Sequence, residues 1–221
     1  MKNYEYIAFD LDGTLTNPAL GLVNGFVYAF RKLGVDYGDE KLLCRFIGPP
    51  LIESWEREYS MTKDEAAQAV ATFREYFSVY GWRENELYPG IKELLSELKA
   101  KGKKLLVATS KPEVFVHKIL RLFGIHEFFD FIGAATLDHS RDSKSQVLSY
   151  VMEAAGIKEE EKGRCILVGD TKYDVEGARL CGIDSLGVTY GFGTAEELTA
   201  EGATYIAESV AEAGKILLSS D

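Results

Sequence analysis

Two aspartates one residue apart close the stretch YIAFDLDGT at residues 6–14, and they are the first groups in this 221-residue chain equipped for chemistry. The apolar run before them reads as a buried strand and Gly13-Thr14 halts it, so Asp10 and Asp12 fall at or just past a strand's carboxyl end. Open α/β sheets keep their ligand sites along that edge. If the backbone stayed extended through Leu11, the two side chains would share a face, and two anions so placed need a cation or a shared proton. The plainer alternative is a turn at Asp12-Gly13 with Asp10 as its flank.

The tips of two later strand-like runs carry Thr109-Ser110 and Gly169-Asp170. Groups on several tips of one sheet meet in space however far apart they are in sequence. Asp174 follows Asp170 by four residues at the start of a helix, one turn away, where an acid also serves as a cap and complements the helix dipole. Asp10, Asp170 and a nearby backbone carbonyl would offer hard oxygen ligands of the kind that suit Mg²⁺. Zinc-type groupings (HxH, HExxH, CxxC), a Walker A loop and a GxSxG elbow are absent from the sequence. Gly191-Phe192-Gly193 lacks the third glycine of a dinucleotide fingerprint. His117, His126 and His139 are scattered over a helix, a helix end and a loop, and read as surface or packing residues.

The elements that must position these groups follow from periodicity. Helical spacing marks 21–33, 39–46 and 51–59, and Thr62 with Glu65 opens a fourth helix reaching about residue 80. Nothing strand-like interrupts this region. From Tyr88-Pro89-Gly90 onward, helices at 91–101, 114–123, 145–155, 175–180, 195–200 and 210–217 alternate with strands at 104–109, 129–134, 165–169, 185–189 and 204–207. The pattern predicts an α/β fold with a doubly wound, mainly parallel sheet covered on both faces. An α-helical insert follows the first strand, dividing the chain into a core of 1–16 plus 87–221 and an insert of 17–86.

Composition narrows the function classes. A hydrophobic content of 46% argues for a folded globule, and a formal net charge of −10 argues against nucleic-acid or anionic-membrane partners, which need a basic footprint. An anionic substrate would then need a metal or site lysines to reverse the local field. Cys44, Cys165 and Cys181 lack metal-ligand spacing and are odd in number, which fits a reducing compartment. With no signal-peptide pattern and no run long enough to span a bilayer, a cytoplasmic protein is expected.

Four segments, DLDGTL at 10–15, VATSKP at 107–112, SRDSK ending at Lys144 and GDTKYD at 169–174, together resemble the ordered motifs of the haloacid dehalogenase superfamily. The resemblance covers essentially the whole chain, with the insert where that superfamily places a C1 cap. GPP at 48–50 and YGFGT at 190–194 are most similar to its phosphoglycolate-phosphatase-like branch. The resemblance implies a phosphatase acting on a small phosphorylated metabolite, as a monomer or homodimer, with Mg²⁺ as cofactor. It further implies Asp10 as nucleophile, Asp12 as general acid and base, and Thr109 and Lys144 as partners of the phosphoryl group. Asp10, Asp12, Asp170 and Asp174 would serve the metal, Asp174 directly or through water. Ser145 follows Lys144 where the family pattern commonly has proline, and Lys111 is the alternative cation.

Substrate choice is expected to lie in the insert, since the core handles only the phosphoryl group. Arg45 and Gly48, with Ser110 from the core, are the candidate substrate contacts, although Arg45 equally suits a solvated surface. Trp55, Tyr59, Phe73, Phe77 and Trp82 read as core of the insert. The competing functions are a sugar-phosphate mutase, a nucleotidase or pyrophosphatase of the same superfamily, and a binding module that kept the fold without the chemistry. An acid at position 12 argues against a dehalogenase, as the resemblance implies.

Overall fold

The run at the start of the chain forms β1 (Tyr6–Phe9) in the computed structural model, which describes residues 2–48, 51–138 and 140–219. Two-residue strands β2 (Thr16–Asn17) and β3 (Glu86–Leu87) lie where the chain leaves the first of two compact units and returns to it. One unit comprises 17–86 and the other comprises 1–16 with 87–221.

The 17–86 unit holds α1 (Ala19–Leu33), a 3₁₀ segment (Glu40–Phe46), α2 (Leu51–Tyr59) and α3 (Lys63–Val79). Gly34 ends α1 in the left-handed conformation, and Thr62 with Glu65 forms the capping box that opens α3. Segment 39–46 is a 3₁₀ rather than an α-helix, and a further 3₁₀ turn at Gly81–Arg83 follows α3. Phe26 centres the core, with Phe46, Trp55 and Phe73 at ring distances of 6.3, 5.6 and 5.2 Å. Phe73 packs where a side chain on Gly25 would stand, so α1 and α3 approach closely. These aromatics fill a core rather than line a ligand box.

The other unit continues with α4 (Ile91–Ala100), β4 (Lys104–Pro112), α5 (Glu113–Leu122), β5 (Phe131–Ala135) and α6 (Lys144–Ala154). It ends with β6 (Cys165–Gly169), α7 (Lys172–Cys181), β7 (Asp184–Val188), α8 (Ala195–Glu201), β8 (Tyr205–Ala207) and α9 (Val210–Leu218). Six strands form one parallel sheet in the order β5-β4-β1-β6-β7-β8. Chain direction across the sheet reverses at β1 and β6, the topological switch point of a Rossmann-like fold. Ala8, Leu106, Ala108, Cys165 and Leu167 point to one face and pack on α6 and α7 through Val147, Val151 and Ala178. Their neighbours Ile7, Phe9, Leu105, Val107, Ile166 and Val168 are buried too, which accounts for the continuous apolar runs in the sequence.

Three departures from the sequence reading bear on the site. The strand β4 extends three residues past Thr109, with a register shift before Pro112 pairs with Ala135. Helix α6 starts at Lys144 because Ser143 and Gln146 make a capping box, and α7 starts at Lys172 because Thr171 and Asp174 make another. The strand predicted from residue 129 begins at Phe131, since His126–Phe128 is drawn into a 3₁₀ turn.

Candidate active site

The strand β1 hands its register to the site. Asp10 extends the ladder by one bond, its N–H donating to the Val168 carbonyl at 2.9 Å. It also continues the alternation of Ala8, so its side chain is directed to the face covered by α6 and α7. The extended backbone does not persist through Leu11. That residue is buried, and its carbonyl accepts from the N–H groups of Thr14, Leu15 and Thr16, curling the chain away from the sheet. Asp10 and Asp12 therefore face different partners.

Lys144, in the first turn of α6, places its Nζ 2.8 Å from Asp10 Oδ1 and 2.7 Å from Asp174 Oδ1, and also donates to the Ala108 carbonyl at 3.1 Å. Its stem crosses α7 where Gly177 carries no side chain; a Cβ there would stand 2.7 Å from Lys144 Cγ. Asp174 does two jobs with its two oxygens. Oδ2 accepts from the Thr171 N–H at 3.0 Å and hydroxyl at 2.8 Å, capping α7, while Oδ1 meets Lys144. Asp174 thus caps α7 and also reaches Lys144.

Asp170, at the tip of β6, is fully buried and held on three sides. Thr14 Oγ1 donates to Oδ1 at 3.2 Å, and the Phe192 N–H donates to Oδ2 at 2.9 Å. Gly13 takes φ 81° and Gly191 packs beside it, and a Cβ on either would fall within 2.4 Å of an Asp170 side-chain atom. The Tyr190 hydroxyl donates to the Thr14 carbonyl at 3.0 Å, tying the 190–193 loop to the 10–16 loop. Of the two glycines set aside as a failed dinucleotide motif, Gly191 packs against the Asp170 side chain and Gly193 against the Asp170 backbone carbonyl.

Lys111 does not compete with Lys144. Its Nζ lies 2.6 Å from Asp12 Oδ2, while Asp12 Oδ1 is buried with no hydrogen-bond partner among the described residues. The Lys111 N–H donates to Thr109 Oγ1 at 3.2 Å, and Thr109 is buried beside Asp10. Ser110 is exposed between them.

Oxygens of Asp10, Asp170 and Asp174 converge within 4.8 Å of one another, all from buried residues. Asp12, expected as a fourth metal ligand, is not among the three. Burial pushes the Asp10 carboxyl up to about 6, with the Asp174 charge adding to the rise and Lys144 and Thr109 opposing it. Burial, then Asp174 and Asp10, push Asp170 well above the usual carboxylate range. Burial would pull Lys144 down, but Asp10 and Asp174 hold it above its ordinary value. Three carboxylates facing one ammonium leave an excess of negative charge among hard oxygen donors, and a divalent oxygen-loving cation fits that set.

Arg45 and Gly48 belong to the 17–86 unit. There, Arg45 pairs with Glu58 at 3.3 Å and lies over the Phe46 ring, and Gly48 is exposed with φ 104°. Pro49 and Pro50 of the predicted loop, and His139, lie outside the described residues. Sequence reasoning passed over Thr14, Tyr190 and Gly191 as site residues. The DGT and YGFGT strings were their visible signal.

A model of the haloacid dehalogenase-like hydrolases matches residues 7–188. A 5'-nucleotidase of Pseudomonas aeruginosa is 38% identical over 97% of this chain and 96% of its own. A phosphoglycolate phosphatase of Vibrio parahaemolyticus is 30% identical over 96% and 95%. The crystal structure of a candidate phosphatase from Clostridium difficile superposes with a TM-score of 0.90 at 44% identity, covering 99% of this chain and all of the other. No helix among the described residues is long and apolar enough to cross a membrane.

Proposed function

Because the chain belongs to the haloacid dehalogenase-like hydrolases, we propose that it is a phosphatase that hydrolyses small phosphomonoesters through an aspartyl phosphate on Asp10. The observation that carries this reading is the division of labour between two buried lysines, Lys144 on Asp10 and Asp174, and Lys111 on Asp12. It separates a carboxylate kept as an anion for attack from one placed for proton transfer.

In the proposed first step an Asp10 oxygen attacks phosphorus and the bond to the leaving oxygen breaks, while Asp12 gives its proton to that oxygen. In the second step Asp12 takes a proton from water, the water oxygen attacks phosphorus, and Asp10 is released with inorganic phosphate. Lys144 and the Thr109 hydroxyl would steady the equatorial oxygens through both transfers. Asp10, Asp170 and Asp174 would hold Mg²⁺, which when bound supplies charge neutralisation at the phosphoryl group. The Asp170 cradle keeps that carboxylate in place without relying on its own flexibility.

The substrate is a small phosphorylated metabolite of the phosphoglycolate type. Nucleoside 5'-monophosphates are the second reading, favoured by the identity to the Pseudomonas 5'-nucleotidase. Quenching a reaction with radiolabelled phosphate ester in Mg²⁺ is expected to leave a hydroxylamine-labile label on the protein, absent in Asp10→Asn. Full turnover by Asp10→Asn overturns the scheme. A panel of phosphorylated metabolites scored by phosphate release and kcat/KM ranks the substrates, and isomerisation without phosphate release would mark a mutase.

A further inference from the structure

The two described histidines, scattered in sequence, meet in space. His117 Nδ1 lies 3.1 Å from His126 Nε2, with ring centroids 5.3 Å apart. The backbone builds this approach. After α5, Gly124 takes φ 64°, its N–H donating to the Arg121 carbonyl at 3.0 Å, and the Ile125 N–H donates to the Leu120 carbonyl at 2.9 Å. That is a Schellman closure, and fully buried Ile125 anchors it directly before His126.

The outer nitrogen of His126 determines the state of its inner one. His126 Nδ1 is 3.0 Å from Glu127 Oε1, and His117 Nε2 is 3.8 Å from Glu113 Oε1. An ionised carboxylate only accepts, so neutral His126 keeps its proton on Nδ1 and presents the bare lone pair of Nε2 to His117, whose own outer nitrogen lies beyond hydrogen-bond distance of Glu113. That lone pair is met either by a proton on His117 Nδ1 or by a cation shared between the two rings. A divalent transition metal serves both rings and leaves them neutral.

The spacing suits the metal. Two metal–nitrogen bonds of about 2.05 Å hold their nitrogens about 2.9 Å apart at a right angle and about 3.3 Å apart at the tetrahedral angle. The observed 3.1 Å falls between these limits. A carboxylate hydrogen-bonded behind an imidazole, as Glu127 is behind His126, is the arrangement that orients a histidine ligand and raises its basicity. The side chains are 33% and 21% exposed, so an ion can reach them and water can complete its shell. We infer that His117 Nδ1 and His126 Nε2 form a binding site for Zn²⁺ or Cu²⁺, with Glu127 orienting the His126 ring. None of these residues belongs to the aspartate cluster.

The test uses the full chain in excess Mg²⁺, titrated with Zn²⁺ by calorimetry and with Cu²⁺ by electron paramagnetic resonance. One equivalent is expected, with a copper spectrum showing hyperfine coupling to two imidazole nitrogens. His117→Gln and His126→Gln should each remove it, Glu127→Gln should weaken it about 10- to 100-fold, and Asp170→Asn should retain it. The inference is overturned if the double histidine variant binds with the wild-type stoichiometry and affinity. It is equally overturned if wild type binds no equivalent, or if Asp170→Asn loses it.

Discussion

A single ammonium group answers two of the three converging carboxylates, which makes Lys144 the side chain with the most to lose on substitution. Lys144→Met leaves two buried anions without their cation, a change that costs about 3–5 kcal/mol where a buried pair is broken. Metal-free urea denaturation is expected to show a loss of that order, and steady-state kinetics a fall in kcat of at least about 100-fold. Gly191→Ala tests the cradle instead. Its Cβ would stand 2.4 Å from the Asp170 Cβ and from the Gly13 carbonyl oxygen, so either the loop or the carboxylate must shift. Activity measured against Mg²⁺ concentration should show half-saturation raised roughly 10- to 100-fold, the usual effect of disturbing a ligand's support. Unchanged half-saturation would mean that the loop yields and Asp170 stays.

At the scale of elements, Asp130 joins three pieces of the sheet unit ahead of β5. Its Oδ2 accepts from Lys99 of α4 at 2.9 Å and from the Leu105 N–H of β4 at 2.8 Å, and Lys104 lies 3.6 Å from Oδ1. Burial alone would raise this carboxyl, but these donors outweigh it and hold it below the ordinary range. A depressed folded-state value means stability that is complete above the unfolded carboxyl's pKa and is lost as pH falls through the folded one. Asp130→Asn should therefore flatten the acid limb of a plot of Tm against pH, with little change in slope near neutrality. Asp130→Ala also strands the Leu105 N–H within the sheet, at a cost of about 1–3 kcal/mol that persists at every pH.

For the molecule as a whole, the excess of buried negative charge would couple the proposed metal to folding. A ligand at 100 times its Kd stabilises by about 2.7 kcal/mol, and in chains of this size each kcal/mol moves Tm by about 2–4 °C. Saturating Mg²⁺ should raise the transition of the unit containing the aspartates by about 5–10 °C over an EDTA-treated sample in scanning calorimetry. The response should vanish in Asp170→Asn. An equal response in that variant would place the stabilising ion elsewhere.

What the chain determines by itself is whatever short-range physics governs. Alternating and continuous apolar runs made the strands visible, and glycine stops and capping boxes made the helices visible, so Asp10 and Asp170 were legible as strand-tip groups, whereas Thr109, read as a third tip, lies within β4. Even the early start of α6 was written in Ser143 and Gln146. The tertiary structure decided the pairings, because each joins residues far apart in sequence through packing that no local window contains. It set the strand order that puts Asp10 and Asp170 on either side of the switch point. It assigned Lys144 to Asp10 and Lys111 to Asp12, where sequence offered the two as alternatives. Bringing Gly13 and Gly191 against Asp170, and one histidine ring against another, likewise took the folded chain.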